Sequence, residues 1–498
     1  MEDHKSDRRR ETYATLDNAE YIIVIPSLSF PTNELTKFKG IHNYEERLFY
    51  YFSYLTNPNI KIVYATSLPL EKSTILYYIQ LLTRNSSFTP KELKKRVLFL
   101  SCDDTSSSCL VEKLYRHPIL IEKIKQFINP SKSLMVTYIG TNLEYELANE
   151  LNVQLFANDY HYSYFATRAG NKEIFAEAEI PHPKSSGVIK SVEGLIEALS
   201  TLYIENNSEI TKFVIKQNNG LGGIGTCLLH TKYFDRTNLH ESIRDALENK
   251  IEFQFANENW ESYQQKIQNF GVMVEIWIDD AFSSPSCQGI IYQNGDVEIL
   301  STHEQILHGL IYVGCEFPAK NEYRQEIMNQ TAKIGNILSR KGCRERFGVD
   351  FVVKKENDSL NIYAIEINIR WTGTSHPFLT AKRLINSEIT EDGLLKSKEG
   401  KFKYYFANDC VINEIYAGLT PRFFIEFINS NVELQFDSDR MIGIVIYNFS
   451  FTAEFGRFGV LAISDSIDEA KVLYFKSLQI IEAFANEIHN KKRNIALE

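Results

Sequence analysis

Glu366, Asn368 and Arg370 follow a short apolar run, Tyr363-Ala-Ile, inside the stretch Tyr363–Pro377. Alternation along a strand puts all three on one face. A carboxylate, an amide and a guanidinium side by side are costly to bury without a partner. The partner that suits all three is Mg²⁺ carrying a polyphosphate. The ion takes oxygens from one or two carboxylates and fills its shell with phosphate, and the arginine grips phosphate oxygens the metal does not reach. An edge strand with its polar face in water accounts for the same pattern. Upstream, Phe347-Gly-Val-Asp350-Phe-Val-Val is a second apolar strand with one carboxylate in it, and the polar turn Lys354–Ser359 separates the two. The pair predicts an antiparallel hairpin. Asp350 and Glu366, sixteen positions apart, then meet on adjacent strands, and Asp350, Glu366 and Asn368 are the candidate metal ligands.

Basic side chains and glycines lie upstream of this hairpin. Ala166–Ala178 has a helical pattern with Arg168 and Lys172 four apart on one face. Such a pair is either a solvated face or a grip on α- and β-phosphates. The strand Lys212–Lys216 opens into Gln217–Thr226, which holds Gly220, Gly222, Gly223 and Gly225, and the strand Cys227–His230 follows. Glycines permit close backbone approach, so the N–H groups of such a hairpin tip can cover phosphate oxygens, with Lys216 supplying a fixed charge. The loop joins two strands, which excludes a Walker loop or a dinucleotide fingerprint, since both need a helix after the glycines. Val272–Asp279 is a strand that is either plain core or a hinge between subdomains. As a hinge it would set adenine against Trp277 or Ile278, with Glu275 or Asp279 accepting from the adenine amino group or the ribose. His303-Glu304 and His308 do not form a zinc site, because the histidines are five apart and HExxH needs four.

The elements that must position these groups fall into blocks. Strands at Tyr21–Pro26, Ile60–Ser67, Arg96–Asp103 and Leu134–Ile139 alternate with helices at Tyr44–Leu55, Ser73–Leu82, Ile119–Ile128 and Glu144–Leu151. This alternation predicts a parallel sheet with helices on both faces, and ligands on such sheets sit at the carboxyl ends of the strands. Further on, strands at Ser283–Ile291 and Val297–Ser301 and a helix at Glu322–Lys341 lead into the hairpin. A helix at Leu379–Ile385, strands at Lys401–Phe406 and Ile442–Phe449, a glycine-rich turn at Glu454–Val460 and a closing helix at Ser466–Asn490 complete the pattern. The chain has 498 residues, 44% hydrophobic and 24% charged, with a net charge of −10. That suggests about three domains of a soluble protein and gives no basic surface for nucleic acid. No apolar run is long enough to span a bilayer, no signal core is present, and the seven scattered cysteines fit reduced thiols in a cytoplasm. Residues 1–19, with Arg8-Arg9-Arg10, are expected to be a disordered lead-in.

Together, Lys172, Lys216, the Gly220–Gly225 loop, the Val272–Asp279 strand, Asp350, Glu366 and Asn368 resemble, in order, an ATP-grasp enzyme. The segments Pro26–Ser29, Tyr44–Leu48, Val63–Ser67, Ser284–Ser286, Ser301–Gln305, Phe317–Ala319, Phe347–Val352 and Glu366–Pro377 are similar to those of the peptide ligase of pheganomycin biosynthesis and its relatives. The likeness covers about 20 to 485. It implies an α/β pre-ATP-grasp domain with a parallel sheet at 20–160, an α+β ATP-grasp domain of two subdomains at 161–385 with a glycine-rich lid at about 185–275, and a small C-terminal α+β domain at 386–498. It implies ATP and two Mg²⁺ ions, with Mn²⁺ as a substitute. It implies amino-acid or peptide substrates and a possible homodimer. The reaction it implies activates a carboxylate as an acyl phosphate, which an amine attacks to give an amide, ADP and phosphate. Those relatives carry a lysine at the Arg168 position, so phosphate contact falls to Arg168 or Lys172. Gly348 stands where many ATP-grasp enzymes place an arginine, which passes the acyl-phosphate role to Arg370, beside Lys216. Ser375 and His376 would bind the substrate carboxylate, or His376 would help to deprotonate the amine. A small-molecule kinase on the same fold and an idle nucleotide-binding protein are the alternatives.

Overall fold

The computed structural model describes residues 19–84, 89–206, 209–220, 223–255 and 258–495. All but the end of the expected lead-in, and Gly222 in the glycine loop, lie outside the described residues. The chain divides into two compact units. One takes the described residues up to Tyr160, then Gly314–Pro318 and Arg370 onward; the other takes His161–Val313 and Ala319–Ile369.

The first unit opens with five short strands, β1 (Tyr21–Ile25), β2 (Lys61–Thr66), β3 (Val97–Ser101), β4 (Ser133–Thr137) and β5 (Gln154–Phe156). They form one sheet in the order β3-β2-β1-β4-β5, and every neighbouring pair is parallel. The strands are near-continuous apolar runs, as parallel strands covered on both faces must be. Ile23, Val63 and Met135 pack against Leu110, Leu114, Ile121 and Leu147 from the connecting helices. The chain steps outward from β1 to β2 and β3, then returns to the other side of β1 as β4. The strand order therefore reverses between β1 and β4. The stretch expected as an α-helix from Tyr44 is helical over Ile41–Thr56 but wound as 3₁₀. Glu45, Glu46, Leu48 and the run Phe49–Phe52 are all buried, so it carries no single apolar stripe of the kind an α-helix lays on a core.

The second unit holds two antiparallel sheets. In the smaller, β6 (Lys212–Gln217), β7 (Thr226–His230), β8 (Glu252–Phe253) and β9 (Val272–Ile276) pair in the order β8-β7-β6-β9. Phe213, Ile215 and Val274 from this sheet pack on Leu195, Leu199, Ile243, Tyr263 and Ile267 from its helices. The larger sheet contains β10 (Ala281–Ser283), β11 (Pro285–Ile291), β12 (Val297–His308), the first residues of β13 (Ile311–Phe317), β14 (Glu345–Glu356) and β15 (Ser359–Asn368). Strand β14 pairs with β15 along one edge and with β11 and β10 along the other. Helix Asn321–Arg340 buries Ile327, Ile334 and Leu338 with Phe347, Val349 and Phe351 of β14. Three expectations change here. Strand β9 ends at Ile276, so Trp277, Ile278 and Asp279 lie beyond it. Strand β12 runs to His308, so His303 and His308 stand on a strand. The hairpin turn tightens to Asn357 and Asp358, both at positive φ (46° and 65°), the conformation a two-residue type I′ turn demands and these residue types tolerate.

The chain then returns to the first unit through β16 (Ser387–Ile389), β17 (Leu395–Ser397), β18 (Phe402–Ile412), β19 (Phe436–Asp437), β20 (Ile442–Tyr447) and β21 (Arg457–Ser464). Gly314–Phe317 of β13 pair with β18, and β21, β20 and β19 follow in that order. The glycine-rich turn expected over Glu454–Val460 contracts to Gly456, at φ 56°, because Arg457 already begins β21. Helix Ser375–Ile385, expected with the central domain, belongs to the first unit, whose residues resume at Arg370.

Candidate active site

The hairpin places Asp350 of β14 directly opposite Glu366 of β15, and Gly348 opposite Asn368. Between Asp350 and Phe351 the register shifts, since Phe351 faces Ala364 and Ile365 is left over. Such a bulge twists the strand locally and re-aims the side chains beside it. Two carboxylates facing across a ladder repel, and the unit offsets this with local donors. Arg168 Nη1 lies 2.6 Å from Glu366 Oε2. Asn368 Nδ2 donates to Asp350 Oδ2 at 3.0 Å, and Gln305 Nε2, from β12, donates to Asp350 Oδ1 at 2.9 Å. Among the described residues no group of three or more His, Cys, Asp or Glu side chains could hold a metal ion. Two carboxylates with a neighbouring amide are the short oxygen set that suits Mg²⁺, which keeps water and phosphate in its shell.

The basic residues form a second cluster in the same unit. Val214 faces Glu275 across β6 and β9, so Lys216, two residues along, shares a face with Glu275. Lys216 Nζ lies 2.5 Å from Glu275 Oε2, and Lys172 Nζ lies 3.0 Å from Glu275 Oε1. Glu275 is only 2% exposed. Burial alone would raise its pKa, but Lys216 and Lys172 outweigh it and hold the carboxyl down at about 2. Burial lowers the pKa of Lys172 despite Glu275. For the deeply buried Arg168, burial opposes the charge, but Glu366, Glu275 and Asp350 raise its pKa. Arg168 and Lys172 both sit on helix Arg168–Glu177, capped by Thr167. Two asparagines tie this helix to the strands. Asn171 Oδ1 accepts from the Ile367 amide at 2.9 Å, and Asn218 Oδ1 accepts from the Ala169 amide at 3.0 Å.

The glycine loop closes on itself at the end of β6. The Gln217 amide donates to Gly225 O at 2.8 Å and the Gly220 amide to Gln217 O at 3.2 Å. Tyr263 Oη donates to Gly225 O at 3.0 Å. Gly223 and Gly225 have φ of 87° and 66°, a region open to glycine at little cost. Beyond β9 the Trp277 amide donates to Lys212 O at 3.2 Å, and Lys212 Nζ lies over the Trp277 ring at 4.2 Å. Ile278 is partly exposed. Asp279 accepts from Thr211 Oγ1 at 2.7 and 2.8 Å. Glu275 is thus engaged by lysines, and Asp279 by a threonine, where both were expected as acceptors for adenine or ribose.

Arg370 and His376 belong to the first unit. Arg370 Nη1 donates to Trp371 O at 2.8 Å. His376, in the first turn of helix Ser375–Ile385, is buried. Its Nδ1 lies 3.2 Å from Arg47 O, and its ring is 4.7 Å from that of Tyr447. Burial, against the pull of Asp409, lowers its pKa to about 4, so at pH 7 it is a neutral imidazole, with one ring nitrogen protonated and the other an acceptor. Ser375 Oγ accepts instead from the Thr372 amide at 3.1 Å. Sequence reasoning gave Gln305, Asn171, Asn218 and Arg47 no role. Gln305 and Arg47 lie in segments already matched to the family, but nothing local marks their partners, which are supplied by other strands and helices.

The chain resembles known proteins in sequence and in fold. Residues 161–252 match a family model described as IQCH-like, ATP-grasp. The chain is 25% identical over 422 residues to L-propargylglycine–L-glutamate ligase of Streptantibioticus cattleyicolor, covering 84% of this chain and 85% of that protein. It is 20% identical over 399 residues to IQ motif-containing protein H of Danio rerio, covering 70% of this chain and 37% of that protein. Among solved structures, a biotin carboxylase from Campylobacter jejuni matches with a TM-score of 0.56 at 12% identity, over 92% of this chain and 90% of that one. An N5-carboxyaminoimidazole ribonucleotide synthetase in complex with ADP matches with a TM-score of 0.52 at 14% identity, over 93% and 96%. The facing carboxylates, the lysine-bearing strand and these likenesses converge on one fold: the chain has the architecture of ATP-grasp proteins, matches an ATP-grasp family model over residues 161–252, and is similar in sequence to an amino-acid ligase.

Proposed function

We propose that the protein is an ATP-dependent carboxylate–amine ligase whose amine substrate is an amino acid or short peptide. The observation that carries this is the in-register pair Asp350 and Glu366, set in one unit with Arg168, Lys172 and Lys216, in a chain similar to an amino-acid ligase over most of its length. Asp350, Glu366 and Asn368 hold two Mg²⁺ ions, which Mn²⁺ can replace. Held by these residues, the metal would supply positive charge against the phosphates. Lys172, Lys216 and Arg168 exchange carboxylate partners for phosphate oxygens, so each site anion has a cation waiting before nucleotide arrives. Backbone N–H groups of the glycine loop cover the phosphates, and Trp277, Ile278 and Asp279 flank adenine and ribose. Lys216 and Arg370 stabilise charge on the transferring phosphoryl group.

The carboxylate oxygen takes the γ-phosphoryl group and ADP leaves. The amine then attacks the acyl carbon, the carbon–oxygen bond to phosphate breaks, and the amine proton is released. Excluding water protects the acyl phosphate. We place the chain in the cytoplasm, in keeping with its seven free cysteines, and expect it to pair as a homodimer. Among the described residues no helix is long and apolar enough to cross a membrane. Turnover of Mg-ATP with pairwise mixtures of amino acids tests the reading. ADP and phosphate formed only when both a carboxylate and an amine partner are present support it. AMP, a stable phosphorylated alcohol, or no turnover would overturn it in favour of a synthetase, a kinase or an idle nucleotide-binding protein.

A further inference from the structure

The first unit contains a polar cluster that its own fold does not balance. Arg47, on the helical segment after β1, pairs with the buried Asp409 of β18 at 2.6 Å, and Tyr447 Oη donates to the other oxygen of Asp409. Arg457, at the start of β21, donates from Nη2 to the Asp409 carbonyl oxygen at 3.2 Å. Its guanidinium lies 5.1 Å from the Tyr44 ring centroid, over which Arg47 also lies, at 4.6 Å. Arg457 has no ion-pair partner among the described residues. Glu46, next to Arg47, is occupied by the Ser450 amide at 2.8 Å and by the Ser450 hydroxyl. Two guanidiniums therefore share one carboxylate. Arg457 is partly buried, and a partly sheltered charge without a counterion is costly, so the charge of the cluster would be balanced by one further anion.

His376 adds the second half of the description. A carbonyl opposite Nδ1 accepts only from an N–H, so Nδ1 carries the proton and Nε2 presents a lone pair. That Nε2 is buried and has no hydrogen-bond partner among the described residues, and His376 is 6% exposed. A buried acceptor left open is costly unless something donates to it. The location is informative too. Tyr138, one residue past β4, contributes to the charge environment of Arg47, and its carbonyl accepts from the Trp371 amide at 3.3 Å. The cluster thus neighbours the carboxyl end of β4, beside the β1/β4 reversal, where open parallel sheets bind ligands.

We propose that Arg47, Arg457 and His376 form the binding site for an α-amino carboxylate group, with the guanidiniums taking the carboxylate and His376 Nε2 accepting from the amino N–H. This rests on the ligase reading and assigns the amine-bearing substrate. A fixed pair of guanidiniums would lower the nucleophilicity of a carboxylate that must attack phosphate, so the clamp suits the carboxylate that does not react. The test is calorimetric titration of the full chain with free L-amino acids and dipeptides, their methyl esters and their N-acetyl derivatives, with MgADP present. At least one free acid should bind, and esterification or acetylation should each weaken it at least about tenfold, the loss expected for a charge-assisted hydrogen bond. In Arg457→Gln the acid should bind at least about tenfold more weakly and the acid-to-ester ratio should fall within about threefold. In His376→Leu the penalty for N-acetylation should vanish while the ester penalty persists. ADP affinity and the circular dichroism spectrum report folding, and Arg457→Lys, which keeps the charge and loses the fork, serves if the glutamine variant does not fold. Equal binding of acids and esters by the wild type, no binding of any free acid, or unchanged ratios in folded variants would overturn the site. No step of this test needs turnover, so it fails independently of the ligase assay.

Discussion

Glu275→Gln is the most informative single change. The carboxylate lies within 2.5 and 3.0 Å of two lysine ammonium groups, and its pKa falls from 4.5 to about 2 despite its burial, which pushes the other way. A shift of that size corresponds to about 3 kcal/mol of folded-state stability. Because the folded pKa lies below the unfolded one, this contribution is complete above about pH 4.5 and is lost as the pH falls toward 2. Glutamine removes it at neutral pH and leaves Lys172 and Lys216 facing a neutral amide. For a unit of roughly 200 residues the loss lowers the melting temperature by about 6–12 °C. The same change frees both lysines for phosphate. Saturating nucleotide at a hundredfold over Kd adds about 2.7 kcal/mol to any protein it binds, but at a fixed concentration the variant should gain more than the wild type, because phosphate no longer displaces a carboxylate. Scanning calorimetry with and without MgADP reads both effects. A variant that melts within about 2 °C of the wild type, or that gains no more from nucleotide, would refute the idea that Glu275 occupies the phosphate-binding lysines.

Three further outcomes are expected. Glu366→Gln should keep a cooperative melt yet lower ATP turnover at least about a hundredfold, because it removes one of the two facing carboxylates; wild-type turnover would refute its metal role. Gln305→Leu should raise the Mg²⁺ concentration needed for half-maximal turnover by about 10–100-fold, since Asp350 Oδ1 loses its donor, and adding Mg²⁺ should restore the rate; an unchanged Mg²⁺ requirement would count against this. Acid should destabilise the fold through buried histidines. Burial depresses His303 to about 3 and His376 to about 4 from 6.5, so their contribution is present above pH 6.5 and fades as the pH falls through those values. His376→Asn should flatten the decline between pH 6.5 and 4 by up to about 3 kcal/mol, measured by urea unfolding across pH.

The hairpin that carries Asp350 and Glu366 was legible because its information is local. Two apolar strands, one turn and an even spacing on each side are enough to set Asp350 against Glu366, while the bulge at Ile365 and the tightness of the turn were not marked. The parallel sheet was legible for a similar reason, from apolar runs separated by helical patterns. What the sequence hid is long-range register. Glu275 looks like an adenine acceptor until β6 and β9 are paired, and then two lysines reach it. Gln305 sits at an ordinary polar position of a strand whose pattern gave no hint of its length. Trp277, Ile278 and Asp279 continue the apolar rhythm of β9, but Asp280, at a positive φ of 57°, breaks from strand geometry beyond them. The placement of Arg370 and His376 in the first unit could not be read at all, because no local pattern records which distant segment a helix will bury against.

That first unit is sewn from three separate lengths of chain, and the Arg47–Asp409 pair joins residues 362 positions apart. During synthesis the N-terminal sheet leaves the ribosome long before β18, β20 and β21 exist. The second unit, complete at Ile369, is translated in full while the first still lacks more than two fifths of its residues. Nascent chains halted once the second unit has left the ribosome should therefore protect the Asp350–Glu366 hairpin from protease while Arg47 and its neighbours stay open to attack. Closing such distant ends carries a large loop entropy, which makes the last 130 or so residues the step that commits the whole molecule to its native state.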